Sequence, residues 1–371
     1  MPNMSTDNHS MPDDPTAPAT AADHEEFHDD IIYPQVLPFV LVHVAALAAF
    51  FTGVTAGTLI LCLVLYVVRM FGVTGGYHRY FSHRTFKTSR VGQFVLAFLA
   101  QSSAQRGILW WAAKHRHHHR HSDTELDIHS PRQRGFLFAH VGWVFHQDNG
   151  ATDFASVPDL TKYPELVWLD KHPYLPATVL GIGCFALGGW PALVVGFVWS
   201  TVLLYHGTFF INSLAHVHGS QRYVTGDDSR NNWWLAVITL GEGWHNNHHA
   251  YQRSTRQGFR WYEFDPTFYA LKVLSWARLV SELGAPPADL VRNERRLGRA
   301  MIEKVARQLA ADIMAELSHL HIPTSDEIRA AAERMLASTP SMDDIVERAR
   351  VHLAELVSLR LGMPLTAGGA A

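Results

Sequence analysis

Three clusters of histidine distinguish this chain of 371 residues, because histidines at such short spacings are typical metal ligands. Neutral imidazole binds iron, copper, nickel and zinc alike, so the residue type predicts a metal site without choosing the metal. The clusters supply eight candidates, and one histidine outside them is a ninth: His78, His83, His115, His118, His119, His216, His245, His248 and His249.

The spacing within the clusters predicts how the imidazoles are presented. The second and third clusters share an i, i+3, i+4 pattern, which on a helix lets three imidazoles face a common point. His78 and His83 are five residues apart and converge only if the helix ends or bends between them, as Ser82 at a helix end would allow. His216 follows Asn212 by four residues, so a helix would carry both on one face.

Nine imidazoles exceed the needs of one metal ion, since a structural zinc takes four ligands and a catalytic zinc three. Two metal ions are therefore the natural count. An isolated run such as 115–121 could instead be a low-complexity tract that buffers metal. Three clusters with two matching spacings favour a built metal site over that alternative.

The composition excludes several other classes of protein. A formal net charge of −3 gives no electrostatic case for binding nucleic acid. Cys62 and Cys184 lie inside apolar stretches and are too few for a disulfide framework or an iron–sulfur site. Residues 1–30 contain eight acidic residues and no lysine or arginine, which predicts a disordered acidic tail and not a signal peptide.

Two long stretches without Asp, Glu, Lys or Arg predict an integral membrane protein. They run from Ile31 to Val68 and from Pro173 to Gln221, and each has room for about two helices of the roughly 20 residues that cross a bilayer. The first stretch divides near Phe51-Thr-Gly-Val-Thr-Ala-Gly57, and the second near Gly188-Gly-Trp-Pro191, where Gly and Pro supply the turn. The prediction is four transmembrane helices in two hairpins, at about 33–51, 55–71, 174–189 and 192–211. Buried helices of a soluble protein are the alternative for the shorter pieces.

Lysine and arginine residues flank both predicted hairpins and are missing from the two hairpin loops. The positive-inside rule then places both termini and all three histidine clusters in the cytoplasm. The stretch Val91–Trp111 is apolar but broken by polar residues, which predicts a helix in the interface or against the catalytic domain. Residues 31–285 would form the membrane domain.

Residues 286–371 predict an amphipathic helical extension. Apolar residues recur every three or four positions from Ile302 to Leu317, the segment Thr324–Glu327 resembles a capping box, and Val351, Leu356 and Leu359 belong to a further helix. No catalytic constellation occurs there, so the extension is expected to serve packing or association.

Taken together, four segments resemble the membrane fatty-acid desaturases, with the stearoyl-CoA Δ9 type as the closest match. The resemblance extends over residues 33–270. It rests on Gly76-Tyr-His78-Arg-Tyr-Phe-Ser-His83, the block ending His118-His119, Asn212-Ser-Leu-Ala-His216, and Gly241-Glu-Gly-Trp-His245-Asn-Asn-His248-His249. The last motif is the most specific, because related alkane hydroxylases share only its histidine spacing.

The resemblance implies a fold, a metal centre and a substrate path. The fold would be all-α, with four spans below a cytoplasmic helical cap that holds a di-iron centre. Its ligands would be the nine histidines, with Asn212 approaching one iron through water, and Gln101, Gln105 and Trp111 would line the path of the acyl chain. The enzyme would use O2 to introduce a double bond, at Δ9 by this resemblance, although a hydroxylase on the same scaffold differs only subtly.

Substrate carrier and electron donor stay open at this stage. After His140-Val-Gly-Trp143 no lysine or arginine follows until Lys162, whereas acyl-CoA enzymes of vertebrates carry basic residues there. Acyl-CoA and an acyl chain on a phospholipid are both expected substrates. The chain has no haem-binding His-Pro-Gly-Gly motif and no cysteine cluster, so a separate ferredoxin, cytochrome b5 or flavin reductase would supply electrons. Bacterial-like features suggest an inner-membrane location, and a non-catalytic metal-handling protein is the remaining alternative.

Overall fold

A computed structural model describes residues 33–293, 297–316, 326 and 342–361 of the chain. The described part is mostly helical, in agreement with the predicted class, and its two β-strands, β1 (Lys87–Thr88) and β2 (Val280–Ser281), form one short antiparallel pair. The α-helices are α1 Tyr33–Ala46, α2 Ala49–Thr52, α3 Ala56–Phe71, α4 Arg90–Gln101, α5 Ile108–His121, α6 Pro131–Arg134, α7 Phe136–His140, α8 Pro158–Thr161, α9 Pro164–Lys171, α10 Leu175–Pro191, α11 Trp199–Asn212, α12 Trp233–Ile238, α13 His245–Ala250, α14 Pro266–Trp276, α15 Ala288–Val291, α16 Arg299–Glu316 and α17 Met342–Leu361.

Two continuous helical segments are long and apolar enough to cross a membrane. The first, Ala56–Ser82, joins α3 to a π-helix at Gly72–Ser82, and the second, Leu175–His216, runs from α10 through a π-helix at Ala192–Val198 into α11. A shorter apolar helical segment covers Val36–Thr52. Large apolar side chains on these segments point outward, since Phe51 is 91% and Leu187 93% exposed, as expected of surfaces that face lipid.

The predicted breaks in the apolar stretches occur where the glycines stand. Gly53 has φ +79°, which ends α2, and the Thr55 hydroxyl caps the start of α3 by accepting from the Thr58 amide. Gly189 has φ +64° and ψ −157°, so the backbone leaves the helical conformation inside the second long segment. Each apolar stretch is thus divided into two helical arms.

The segment predicted as one helix at Val91–Trp111 consists of two helices. The side chain of Ser89 caps α4, and the chain then turns between α4 and α5 because Ala104 and Arg106 adopt positive φ values of 59° and 73°. As expected, α4 packs against the interior: Ala97 and Ala100 are fully buried in the main apolar core. This arrangement sets α5, which carries the second histidine cluster, beside the π-helix that carries the first.

The C-terminal extension forms a small core of its own. Helices α16 and α17 pack together through Val305, Leu309 and Ile313, as predicted, and through residues of α17 that were not predicted: Ile345, Val346, Ala349 and Leu353. Val351, Leu356 and Leu359 belong to this last helix, α17, as predicted, although Val351 and Leu356 are 43% and 40% exposed and lie on the face away from the small core. Leu317, the capping box at 324–327 and the acidic tail at 1–30 lie outside the ranges whose structure is described in full.

Candidate metal centre

A π-helix brings the first two histidines together. In the widened turn at Gly72–Ser82 hydrogen bonds run from residue i+5 to residue i, and the His83 amide donates to the His78 carbonyl at 3.2 Å. Their rings lie 4.9 Å apart, edge to face. An α-helix would separate residues at this spacing by about 140° around the axis. The helix ends at Ser82, as predicted, and its wider π-turn accounts for the approach of the two rings.

Helices α5 and α13 each divide their three histidines between two groups. In an α-helix residue i+4 lies about 40° from residue i, whereas residue i+3 lies about 60° away on the other side. His115 and His119 accordingly stay together, and so do His245 and His249, while His118 and His248 face away from their own pairs. The spacing allows each helix to present up to three imidazoles to one point, and for this geometric reason the structure brings two of them together on each helix.

The nine predicted histidines converge on two adjacent points. Within each group the ligand nitrogens lie within 4.8 Å of one another. The groups touch, since the rings of His119 and His249 are 4.4 Å apart. The five-histidine group consists of His78, His83, His115, His119 and His248, and the four-histidine group consists of His118, His216, His245 and His249.

The nitrogen separations suit ions at both points. In the five-histidine group four Nε2–Nε2 contacts measure 3.0, 2.8, 3.0 and 2.9 Å, and in the four-histidine group His216 Nε2 lies 3.0 Å from His245 Nε2. Nitrogens about 2.1 Å from one ion and at right angles lie about 3.0 Å apart. A neutral imidazole nitrogen is either a donor or an acceptor, so His248 Nε2 cannot bond to both His78 and His119. A cation bound by these nitrogens would resolve the crowding.

Carboxylates fix the tautomers of the four-histidine group. Nδ1 of His118, His216 and His249 lies 2.9, 2.8 and 2.9 Å from a carboxylate oxygen of Asp127, Asp123 and Asp227, respectively. Because each Nδ1–H donates to its carboxylate, each Nε2 keeps a bare lone pair that points into the group. The buried Nε2 atoms of His118 and His249 meet no hydrogen-bond partner among the described residues. A lone pair in that position fits a metal ion.

The supporting acids remain ionised although they are buried. Burial by itself raises the pKa of Asp127, but its charge interaction with and hydrogen bond from His118 hold that pKa well below its usual value. His216 does the same for the pKa of Asp123, and His249 together with Lys304 for the pKa of Asp227. In the five-histidine group Glu242 Oε2 lies 2.5 Å from His78 Nδ1. Burial opposes ionisation of Glu242, while His78 and Arg79 lower its pKa.

Six of the nine imidazoles are held in the neutral form that ligates metal. Loss of hydration, followed by the nearby imidazoles, lowers the pKa of five histidines well below the usual value. Burial lowers the pKa of His249 to about 4 despite its bond to Asp227. Protons therefore compete weakly with a cation at these nitrogens. The five are His83, His115, His119, His245 and His248.

His216 reaches the four-histidine group by a different route from the one predicted. Helix α11 ends at Asn212, and His216 lies in a following 3₁₀ turn at Leu214–His216, so the two residues do not share a regular helical face. Both still face the centre, because Asn212 lines a cavity of about 460 Å³ together with His118 and His245. That cavity leaves room between Asn212 and the histidines.

A second cavity meets the first beside the histidines. It measures about 840 Å³, part of it open to solvent, and shares Trp111, His115, Thr208 and Asn212 with the smaller one. Trp111 stacks on His115 with ring centroids 4.8 Å apart. The walls of the larger cavity are mainly aromatic and apolar, including Phe39, Trp143, Phe145, Tyr205 and Phe209. The two cavities share these walls and together border both nitrogen groups, and we refer to the pair as the path.

Two of the three predicted substrate residues lie on this path. Trp111 lines both cavities, and Gln105 lines the larger one and donates to the Thr208 hydroxyl at 3.0 Å. Gln101 is fully buried away from the lining: its amide donates to the Leu169 carbonyl and accepts from the Ile108 amide. Gln101 thus caps the start of α5 and does not reach either of these cavities.

Sequence reasoning missed the acids that orient the ligands. Asp123 and Asp127 follow the second histidine cluster directly, and Glu242 stands inside the third motif, so acidic residues next to histidine clusters were an available signal. Asp227 gave no such signal, because 22 positions separate it from His249. Arg79 was also missed: it is fully buried and pairs with Glu242 at 3.0 Å and Asp265 at 2.9 Å, which offsets the negative charge beneath His78.

Comparison with known proteins points to one family. A sequence profile described as fatty acid desaturase matches residues 54–275. An acyl-CoA 5-desaturase from Anemone leveillei is 37% identical over 252 residues, 66% of this chain and 77% of the relative. An sn-1 stearoyl-lipid 9-desaturase from Synechocystis sp. is 35% identical over 268 residues, 69% of this chain and 81% of the relative. The enzyme of that name from Anabaena variabilis is 36% identical over 249 residues, 66% and 90% of the two chains.

Proposed function

Since the chain belongs to the fatty acid desaturase family, we propose that it introduces a cis double bond, at the Δ9 position, into a saturated fatty-acyl chain. The family makes the protein an oxidoreductase of fatty-acid metabolism that uses iron. The observation that carries the proposal is the convergence of nine imidazoles on two adjacent points at the head of an apolar path. Two irons held by these imidazoles would supply the activation of O2 and the removal of hydrogen from an unactivated methylene.

Overall, one O2, two electrons and two protons would be consumed, two adjacent methylenes would lose one hydrogen each, and two water molecules would form. The electrons come from a separate donor protein, a ferredoxin, cytochrome b5 or flavin reductase. Such chemistry needs the acyl chain to be fixed and water to be excluded. The aromatic walls of the path would exclude water. Trp111, which lines both cavities and stacks on His115, would help to fix the acyl chain.

Within the four-histidine group we assign three ligands whose orientation is fixed by acids, His118, His216 and His249, with His245 as the fourth. Asn212 would approach this ion through a water molecule, which fits the space between Asn212 and the histidines. The remaining five histidines would hold the other ion. The nine proposed protein ligands are all neutral nitrogens, and the ionised Asp123, Asp127, Asp227 and Glu242 supply compensating negative charge from outside.

For the membrane arrangement we propose four spans in two hairpins beneath a cytoplasmic cap, with both termini in the cytoplasm. The breaks at Gly53 and Gly189 and the outward apolar side chains support four arms. The long segments continue past the apolar region into the histidine-bearing turns that end at Ser82 and His216, so the metal centre would lie just above one face of the bilayer.

Two observations bear on the acyl carrier. Lys114 lines the larger cavity, but its ammonium group already donates to the Asp148 carbonyl and the Asn149 amide oxygen, at 2.9 and 3.2 Å. The cyanobacterial relatives are named as acyl-lipid desaturases, whereas the plant relatives include both acyl-CoA and lipid desaturases. We favour the acyl-CoA carrier because a second basic residue, Arg106, also lines this cavity, and an acyl-lipid is the second candidate.

Expression in cells that lack unsaturated fatty acids tests the function. With iron and a competent donor supplied, gas chromatography of fatty-acid methyl esters is expected to show a new monounsaturated peak, and about two irons should copurify with each chain. A hydroxy acid as the product would show that the protein is a hydroxylase and not a desaturase. A single zinc ion per chain would contradict both activities. Supplying purified membranes with labelled stearoyl-CoA or with labelled phospholipid then separates the two carriers.

A further inference from the structure

The C-terminal extension touches the residues that support the four-histidine group. Those residues lie in a loop, 224–229, which runs between the 3₁₀ turn of His216 and helix α12. Asp227 in this loop accepts from His249 Nδ1 at 2.9 Å. The next residue acts through its backbone, because the Asp228 amide donates at 2.8 Å to the oxygen of Asp123 that also receives His216 Nδ1.

Helix α16 holds this loop from the outside. Lys304 Nζ lies 3.8 Å from Asp227 Oδ2, the oxygen that faces His249. Val305 is 4% exposed and belongs to the small core of the extension, against which Val224 at the start of the loop packs. At Gly226, where φ is +66°, a Cβ atom would lie 3.0 Å from Lys304 Cδ, so the helix and the loop are in close contact.

An arginine ties the other side of the loop to the same helix. Arg132, on α6, makes a two-pronged bond to the Asp228 carboxylate, with both nitrogen–oxygen distances 2.7 Å, and also pairs with Asp312 on α16. A bidentate arginine pair fixes orientation as well as distance. The loop is therefore held between Lys304 and the Arg132–Asp312 pair, at the residues that carry the supports of two ligands.

We propose that helix α16 is a positioning element for the four-histidine metal site, acting through Lys304 and Asp312 on the 224–229 loop. This inference rests on the proposed function, because it requires that the group binds a metal ion. Partners of ligating histidines orient the ring and raise metal affinity, and removing such a partner weakens affinity roughly 10–100-fold. The described helices of the extension contribute no histidine to either group, and they lie outside the profile match at 54–275. It would set metal occupancy at one site and leave the other unchanged.

The test compares the double variant Lys304→Glu/Asp312→Asn with Arg307→Gln, a control on the exposed face of the same helix whose partner is Glu303. The full-length protein is stripped of metal and titrated with Fe(II) against a chelator, and Mössbauer spectra count the occupied sites. We expect the double variant to bind one iron with unchanged affinity and the second iron about tenfold more weakly. This loss is at the lower end of the roughly 10–100-fold range for removal of a partner of a ligating histidine. Arg307→Gln should match the wild type.

A second comparison isolates the site. In a His245→Ala background, where the four-histidine group has already lost a ligand, the double variant should cause no further loss of iron. Equal affinities in the double variant and the wild type would overturn the inference, and so would equal weakening at both sites. A wild-type chain that binds fewer than two irons would instead overturn the proposed function, so the two failures are distinguishable.

Discussion

His118 and His248 occupy exchanged positions. His118 lies on helix α5 with His115 and His119 but belongs to the four-histidine group, whereas His248 lies on helix α13 with His245 and His249 but belongs to the five-histidine group. Each helix therefore contributes to both nitrogen groups. The exchange makes the two groups interdependent, since neither can form unless α5 and α13 are both in place.

Substituting either exchanged histidine should remove one ligand from a different site. We expect His118→Ala and His248→Ala to abolish desaturation, because each leaves a metal site incomplete, while both proteins still insert into the membrane. Fatty-acid analysis and membrane fractionation measure the two effects. His117→Ala is the control, because its ring bonds to the Leu126 carbonyl and lies outside both groups. Full activity in either variant would take that residue out of the ligand set.

Replacing a supporting acid should weaken metal binding without removing a ligand. In Asp127→Asn the partner of His118 loses its charge, and we expect roughly 10–100-fold lower affinity for iron at the four-histidine site. The measurement is a chelator competition on purified protein. Asp148→Asn, whose side chain is 89% exposed, is the matched control. If Asp127→Asn and Asp148→Asn hold iron equally well, the carboxylate is not needed for the site.

Packing of the π-helix against α4 should depend on glycine. A Cβ atom on Gly72 would lie 2.9 Å from the Leu99 carbonyl oxygen, so Gly72→Ala must push the helices apart. We expect a loss of about 1–3 kcal/mol in the free energy of unfolding, which is the usual cost of overpacking. Thermal unfolding in detergent measures it. Gly57→Ala, whose nearest neighbour would be 3.9 Å away, should be as stable as the wild type or more so; similar behaviour of the two variants would refute the packing argument.

The smaller cavity should limit the length of the acyl chain. Ile211 lines it next to Asn212, so Ile211→Trp would fill space beyond the metal centre. We expect the products to shift toward shorter chains, as chromatography of methyl esters from cells fed mixed fatty acids would reveal. Leu203→Trp places the same side chain on the exposed face of helix α11, where Leu203 is 55% exposed, and should change nothing. An unaltered product profile in Ile211→Trp would place the chain elsewhere.

Acid should destabilise the metal-free protein. An unfolded histidine takes up a proton near pH 6.5, whereas the folded-state pKa of His249 is lowered to about 4. Between about pH 6.5 and 4 the unfolded chain thus binds more protons, and the free energy of unfolding falls as the pH is lowered. The five other histidines with lowered pKa act in the same direction.

Thermal unfolding of the chelator-treated protein at pH 7, 6 and 5 checks this pH dependence. The depressed pKa values of Asp123 and Asp127 also make acid destabilising, but only as the pH falls below about 4, the usual range of an unfolded aspartate. Loss of stability above pH 5 therefore reports the histidines. A melting temperature that is constant or rises from pH 7 to pH 5 would contradict the neutral state assigned to these rings.

Much of the molecule could be predicted from local patterns. The resemblance to the desaturases, drawn from four short motifs, is confirmed by the profile match at 54–275. The helical class is confirmed as well. The helices are interrupted at Gly53 and Gly189, where glycine allows a positive φ. These features depend on residues close together in the sequence, such as apolar runs, glycines and histidines at fixed spacing.

The sequence by itself determined which residues could bind metal, because imidazoles at these spacings beside apolar stretches have few other uses. Only the tertiary structure decided how they are shared. His118 and His248 join the opposite group because the crossing of α5 and α13 turns the i+3 face of each toward the other's pair. Asp227 reaches His249 across 22 residues, and Lys304 reaches Asp227 across 77. Such contacts depend on packing between distant segments, which no local spacing encodes.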